Sequence, residues 1–380
     1  MSQQNDTFAA MQKPRPRLAY IVTEDWFFTT HFLPLARAAR DNRFDVIVIT
    51  QVNEYSRQLE AEGFKLAPLT ADRSSFGIAS LLRTIARMRT IIRSEQPDIV
   101  HAIALKSVIL GGLASVFAGR RAQVFSLTGL GYLWIENRFL VRLTRSIVRH
   151  TLKLLGANSR TTFTFENEDD AREFGSLKNK VVIGGWGIAS DHITPMPGHR
   201  FPPMRIVYLG RMLRAKGIEL AVRAVQLARS TVDVQLELWG TPDDGNLTSY
   251  TRSELEAFSQ LDGIQWCGRC DDVSDAWHRA DVAILLSDRE GMPRSLIEAG
   301  AAGLPMIASD VPGCRSIVRD GVNGFLVPRD DVTQVVAAIV KLAQSAELRE
   351  AMGRAARRDF EARFSTEKVV PRIVELYLSL

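Results

Sequence analysis

Two doubly wound α/β domains in series, each Rossmann-like, are the fold that this chain of 380 residues predicts. Three observations predict it. Short, near-continuously apolar β-rich runs alternate with helical runs, the pattern of parallel strands buried on both faces. The alternation stops at a proline-rich stretch and then restarts. The length exceeds what one hydrophobic core usually organises.

In the first half, RLAYIVT (17–23), DVIVIT (45–50), DIVHAI (98–103), QVFSLT (123–128), TTFTFEN (161–167) and VVIGGWGI (181–188) read as strands. Helices are expected between them at 33–41, 77–95, 106–118 and 138–155. MPGHRFPP (196–203) then reads as a linker, with four prolines within 195–203. Strands are expected again at 204–211, 234–240, 264–268, 282–287, 305–310 and 324–327, and helices at 331–344, 347–363 and 367–380. The expected domains are 1–198 and 199–366. Ligands in such folds bind beyond the carboxyl ends of the strands, so a cleft between the two domains is the expected site.

Composition narrows the function. With 46% apolar and 24% charged residues, the chain reads as ordinary globular protein. The polar start MSQQNDTFAAMQKPRPR lacks an apolar leader, and the longest mostly apolar run, Ser107 to Gly119, is 13 residues. Three cysteines fit a reducing compartment, so a cytoplasmic location is expected. The net charge of +5 is uneven: residues 1–199 hold 25 Lys+Arg against 18 Asp+Glu, and residues 200–380 hold 23 against 25. Anionic surfaces are therefore met by the first half. Nucleic acid is a poor partner, because aromatic residues are not interleaved with the basic positions.

RFLVRLTRSIVRHTLKLLG (138–156) places Arg138, Arg142, Arg145, Arg149 and Lys153 on one face, and 81–93 adds Arg83, Arg87, Arg89 and Arg93. Two readings stand for helices 81–93 and 138–155: adsorption to anionic lipid at the inner face of the membrane, or a solvated face covering a sheet.

WCGRC (266–270) has the spacing of a dithiol centre. It lies deep in the second strand series rather than near the start of a domain, which favours a strand end and a loop. No GxGxxG follows the first strand and no GxxxxGK[ST] occurs, so nicotinamide and P-loop chemistry are not expected. GRMLRAKG (210–217) does follow a strand. Gly210 turns, Arg211 can fork onto phosphate oxygens, and Lys216 adds a point charge.

EGMPRSLIE (290–298) supplies the second half of a site. Gly291 lets backbone approach a ligand, Met292 follows, and Pro293 suits a helix start. The helix N-terminus offers N–H groups to a diphosphate. Glu290 lies before that seat and Glu298 about 7 to 8 Å beyond it. Carboxylates accept from sugar hydroxyls, so the two acids can grip opposite ends of a nucleotide sugar, Glu290 on a hexose and Glu298 on a ribose.

Residues 287–331 resemble the family 4 retaining glycosyltransferases of GT-B fold, whose hallmark is Glu, seven residues, Glu; here Glu290 and Glu298. GRMLRAKG resembles their phosphate-binding loop. VVIGGWGIASDHITP (181–195) resembles their interdomain segment, with Ala189 where the family has Asp. The resemblance implies that the last helix, 367–380, packs back on the N-terminal domain. TEDWFFTTHFLPLARAAR (23–40), DIVHAIALKS (98–107), FSLTGLGYLW (125–134) and FTFENEDDAREF (163–174) resemble the branch that assembles bacterial capsule, exopolysaccharide and O-antigen. TEDWFF replaces the usual glycine pair, and Thr128 the usual histidine.

The resemblance implies transfer of a hexose or N-acetylhexosamine from a UDP-sugar to a polyprenyl-linked or other saccharide acceptor. Arg211, Lys216 and Glu290 are the catalytic candidates. Gly210, Gly291, Met292, Pro293 and Glu298 join them in donor binding. His31, His101, Trp26, Thr128 and Gly129 are the acceptor or base candidates. No DxD-type motif lies at a strand end, so neither a metal nor a cofactor is expected, and positive side chains must stabilise the departing diphosphate. Same-face attack, with a donor phosphate oxygen taking the acceptor proton, is favoured over double displacement, for which no nucleophilic carboxylate stands out. The competing functions are a nucleotide-sugar epimerase of the same fold and a non-catalytic nucleotide-sugar-binding subunit.

Overall fold

A computed structural model describes residues 14–69, 77–119, 121–130, 134, 138–195, 202–243, 245–246 and 248–380. The expected linker lies outside the described residues except for Pro202 and Pro203.

The first strand series comprises β1 (Arg17–Glu24), α1 (Asp25–Asp41), β2 (Asp45–Gln51), α2 (Ser56–Ala61), β3 (Lys65–Pro68), α3 (Ile78–Glu95), β4 (Ile99–Ile103), α4 (Leu105–Ala118), β5 (Ala122–Leu127), α5 (Phe139–Leu155), β6 (Thr161–Phe165), α6 (Glu168–Glu173) and β7 (Lys180–Val182). Its sheet has the order β3-β2-β1-β4-β5-β6-β7, and β1 pairs in parallel with both β2 and β4. β1, β2, β4 and β5 are buried through their centres, which is why they read as unbroken apolar runs.

The second series comprises β8 (Met204–Leu209), α7 (Ile218–Ala228), β9 (Val234–Trp239), α8 (Arg252–Phe258), β10 (Ile264–Gly268), α9 (Val273–His278), β11 (Val282–Leu285), α10 (Arg294–Ala301), β12 (Met306–Ser309), α11 (Pro312–Ile317) and β13 (Gly324–Val327). Helices α12 (Val332–Gln344), α13 (Ala346–Arg363) and α14 (Thr366–Leu378) close the chain. This sheet runs β10-β9-β8-β11-β12-β13. Chain order reverses between β8 and β11, as it does between β1 and β4 in the first sheet. At such a reversal the loops leave to opposite faces and open a crevice beyond the strand ends.

By contacts, the chain forms two compact units. One holds the residues up to Ser126 with Thr151–Phe163 and Ile373–Leu380; the other holds Leu127–His150 and Thr164–Arg372. Within the first unit, the end of α14 is tied to the sheet. Tyr377 Oη lies 2.6 Å from His101 Nδ1 and donates to Tyr20 Oη at 3.2 Å.

Three differences from the sequence expectation have clear causes. α1 starts at Asp25 rather than residue 33 and carries Pro34 inside it. Asp25 is fully buried at its first turn: Oδ1 accepts from Trp26 N at 2.8 Å, and Oδ2 accepts from Asn53 N at 2.8 Å and Ser56 Oγ at 2.9 Å. The aromatic run then packs inward, with Phe28 against Tyr20 and Phe32. Secondly, β3 and α2 are too short to show a periodicity. Thirdly, the strand expected at 181–188 is cut to Lys180–Val182, because Gly184, Gly185 and Gly187 all take positive φ.

Candidate functional site

The reversal between β8 and β11 sets the site within the second unit. β8 delivers Gly210 and Arg211 at its carboxyl end, and a short 3-10 turn, Arg214–Lys216, carries Lys216 back. β11 delivers Ser287 and Glu290. The two loops meet: Lys216 Nζ lies 2.5 Å from Glu290 Oε1, and Ser287 Oγ donates to the same oxygen at 2.6 Å. Both bonds fall on Oε1, so among the described residues Oε2 is left to accept from a ligand. The pair is largely enclosed, with side-chain exposures of 22% and 10%.

Backbone packing fixes these loops. Gly217 follows Lys216 with φ +72°, and a Cβ there would overlap the Leu286 carbonyl oxygen. Gly240 lies as tightly against the Gly210 carbonyl oxygen. Tyr208 donates to the Arg211 carbonyl at 2.7 Å. Its phenol is pushed well above its ordinary value, first by burial and then by the Glu290 charge. Gly313 N donates to the Glu290 carbonyl at 3.1 Å.

The remaining donor candidates divide. Pro293 caps α10, whose first-turn N–H groups face out of its N-terminus. Met292 packs on Gly185. Arg211 turns to Asp243, with Nη1 to Oδ2 at 3.1 Å, and its side chain is 55% exposed. Glu298 sits one turn into α10, where Oε1 accepts from Arg294 Nε at 2.8 Å and Oε2 from Trp277 Nε1 at 3.4 Å. Both of its carboxylate oxygens are therefore engaged within the chain.

The structure places the acceptor candidates differently. His101 is fully buried on β4, with Nδ1 on Tyr377 and Nε2 2.6 Å from Ser126 Oγ. Burial pulls its pKa down to about 3, so it is a neutral core hydrogen bonder and not a base open to substrate. His31 packs at a tilt against Phe27, with its Nδ1 3.1 Å from the Phe27 carbonyl, and stays half-buried. Trp26 is exposed at the mouth of the β1–β4 reversal. Thr128 and Gly129 follow β5 and are half-buried. Gly129 has φ +83° and faces the Gly291 backbone.

Sequence reasoning missed a buried polar group around 165–170. Glu166 Oε1 accepts from Trp186 Nε1 at 2.9 Å, and its carboxyl is pushed up to about 8 by burial, then by the charges of Asp170 and Glu290. Asn167 Nδ2 donates to the Gly291 carbonyl at 2.7 Å. Asp170 accepts from Arg289 Nη2 at 2.5 Å. In the sequence this stretch stands out only as part of FTFENEDDAREF (163–174), whose resemblance gives no role to Glu166, Asn167 or Asp170.

Cys267 and Cys270 are free thiols at the end of β10; burial raises both, Cys267 to about 12, so neither is the reactive thiolate of a dithiol centre. Among the described residues no three His, Cys, Asp or Glu side chains stand together as a cation site, and no helix is long and apolar enough to cross a membrane.

On α5 the apolar residues are not all turned inward. Val148 and Leu152 are buried, but Phe139 (77% exposed) and Leu140 (72%) stand out with Leu143, Ile147 and Leu154 beside Arg138, Arg142 and Lys153. On α3, Arg89 and Arg93 instead donate to the Phe117 carbonyl that ends α4.

Comparison with known proteins gives the family and the fold. Residues 198–359 match the family model of glycosyl transferases group 1, and residues 17–163 match that of glycosyl transferase 4-like domains. The Campylobacter jejuni N,N'-diacetylbacillosaminyl-diphospho-undecaprenol alpha-1,3-N-acetylgalactosaminyltransferase is 24% identical over 91% of this chain and 94% of its own length. The Escherichia coli UDP-Gal:alpha-D-GlcNAc-diphosphoundecaprenol alpha-1,3-galactosyltransferase is 23% identical over 79% of this chain and 80% of its own. Among solved structures, Anabaena HepE in complex with UDP superposes with a TM-score of 0.78 at 17% identity, covering 96% of this chain and all of that one. Sucrose-phosphate synthase from Thermosynechococcus elongatus gives 0.79 at 19%, over 96% and 99%. The fold is GT-B, and the chain is a sugar-transferring enzyme. The chain belongs to the group 1, family 4 glycosyltransferases of polysaccharide biosynthesis.

Proposed function

We propose that this glycosyltransferase is retaining and metal-independent, and that it moves a hexose or N-acetylhexosamine from a UDP-sugar to a lipid-linked saccharide. The observation that carries the reading is the meeting of Lys216, Ser287 and Glu290 at the strand reversal, beside the N-terminus of α10. Lys216 releases Glu290 as the donor enters. Its ammonium then faces the diphosphate, with Arg211 swinging from Asp243, and these charges with the helix N–H groups neutralise the leaving group. No cation is needed for that task. Glu290 accepts from the sugar hydroxyls. The acceptor attacks from the face the diphosphate leaves, and a donor phosphate oxygen takes its proton, so the anomeric configuration is kept. Residues 199–366 are assigned to the donor and 1–198 to the acceptor, with 367–380 joined to the acceptor side. UDP is favoured because the fold relative HepE holds UDP and the E. coli relative is named for UDP-Gal. The lipid-linked acceptor follows the two undecaprenol-named relatives.

Calorimetry with UDP, GDP and their sugars tests the donor. UDP-sugars are expected to bind at micromolar Kd, a typical working range, with no loss of turnover in chelator. GDP-mannose binding without UDP affinity, or loss of transfer in chelator, defeats this part.

We also propose that α5 rests on the inner face of an anionic membrane, where the acceptor lipid lies. Phe139 and Leu140 enter the interface while Arg138 and Arg142 meet lipid phosphates. Co-sedimentation with vesicles holding phosphatidylglycerol is expected to fall roughly tenfold in Phe139→Ser/Leu140→Ser. Equal binding by the double variant would remove α5 from the contact.

A further inference from the structure

Both neighbours of Glu290 are tethered to one short stretch of chain far away in sequence. Asn167 Nδ2 donates to the carbonyl of Gly291 at 2.7 Å, and Asp170 binds the guanidinium of Arg289 at 2.5 Å. The stretch is itself fixed: Asn167 Oδ1 accepts from Asp170 N at 2.7 Å, and its Nδ2 also lies 3.1 Å from Asp170 Oδ2. Glu166 closes the other side. A Cβ on Gly291 would sit 2.5 Å from Glu166 Oε2 and 2.7 Å from Gly129 Cα. Glu166, Asn167 and Asp170 are all buried. Burying carboxyl and amide groups is costly, and apolar side chains would hold two segments together as well. Polar partners add a set direction for each peptide group. Here that direction decides where the Glu290 carboxylate points.

We infer that Glu166 and Asn167 are positioning residues of the transfer reaction, bracing the Gly291 peptide so that Glu290 is presented to the donor sugar. The inference rests on the assignment of Glu290 to the donor site. The groups facing Glu166 are the indole of Trp186, the Asp170 carboxylate held by Arg289, and the Glu290 carboxylate held by Lys216. At pH 7 the Glu166 carboxyl is neutral. As pH rises through about 8 it ionises and sets a second negative charge beside Glu290. Bracing is complete below that pH and weakens above it.

Three measurements on the full chain test the brace: kcat and donor KM, the pH profile of transfer, and hydrogen exchange of the peptide spanning 288–292. Asn167→Ala is expected to lower kcat about 10- to 100-fold with a smaller change in KM, as for lost support of a reacting group. Exchange in 288–292 should quicken about tenfold while the sheet amides stay protected. Glu166→Gln keeps shape and neutrality. It should retain kcat within about threefold at pH 7 and lose the alkaline fall seen in the natural enzyme. Unchanged kcat and exchange in Asn167→Ala, or an alkaline limb that persists in Glu166→Gln, overturns the brace. Should Asn167→Ala fail to fold, Asn167→Asp, which lacks the Nδ2 donor, gives the same two outcomes. If 288–292 loosens in the variants while the natural enzyme transfers no sugar, the brace stands and the donor assignment falls.

Discussion

Replacing Glu290 by alanine is expected to lower kcat/KM for sugar transfer by about 100-fold or more while the chain stays folded. Glu290 is the point where the two loops of the second strand reversal touch, through Lys216 Nζ at 2.5 Å and Ser287 Oγ at 2.6 Å. On the proposed reading, alanine removes the acceptor for the sugar hydroxyls. It also frees Lys216, whose ammonium no longer has a carboxylate to leave before it meets a diphosphate. Binding of UDP alone should therefore be unchanged or tighter, while transfer is lost. That split marks an interaction with the sugar and not with the nucleotide. The check pairs calorimetry on UDP with steady-state transfer and a thermal melt. Transfer within about threefold of the natural enzyme, in a folded variant, removes Glu290 from the donor site.

Gly217→Ala is expected to destabilise the chain by about 3 kcal/mol, from a left-handed backbone conformation and an overpacked contact together. Gly217 has φ +72°, and the added methyl would meet the carbonyl oxygen of Leu286, with the Leu286 carbonyl carbon at 2.7 Å. Backbone cannot turn aside as a side chain can. The expected fall in Tm is about 4 to 6 °C. Gly321→Ala is the control: it shares the positive φ, +70°, but has open space around it, so it carries the conformational cost of about 1 kcal/mol alone. Equal melting temperatures for the two variants would show that the Leu286 contact yields. Because Gly217 follows Lys216 and Leu286 precedes Ser287, the clash also pries apart the loops that form the site, and transfer should fall with stability.

Much of this arrangement was legible before any coordinates. β8, β9 and β12 lie within two residues of their sequence positions, and β10 and β13 match them, because strands buried on both faces leave unbroken apolar runs. Glu290 and Lys216 stood out because glycine, proline and charge cluster at strand ends, where a parallel sheet binds ligands. Other parts left no local trace. The true start of α1 depends on a buried carboxylate, Asp25, whose partners lie 28 and 31 residues away. Glu166, Asn167 and Asp170 look like surface acids and amides in one dimension. Their use appears only when a segment more than 110 residues distant arrives beside them. His101 misled in the opposite sense. A histidine near a strand end suggests chemistry, but this one faces the inside of a sheet, and the tyrosine it meets is 276 positions away.

That last contact has a consequence for how the molecule is made. The Tyr377 ring fills a slot among Tyr20, Phe44 and His101, which are all translated at least 276 residues before it. During synthesis that sheet must wait, incompletely filled, until those 276 residues have followed. The ribosome therefore exposes these three side chains long before their partner exists, and closing that interior is a late event of maturation.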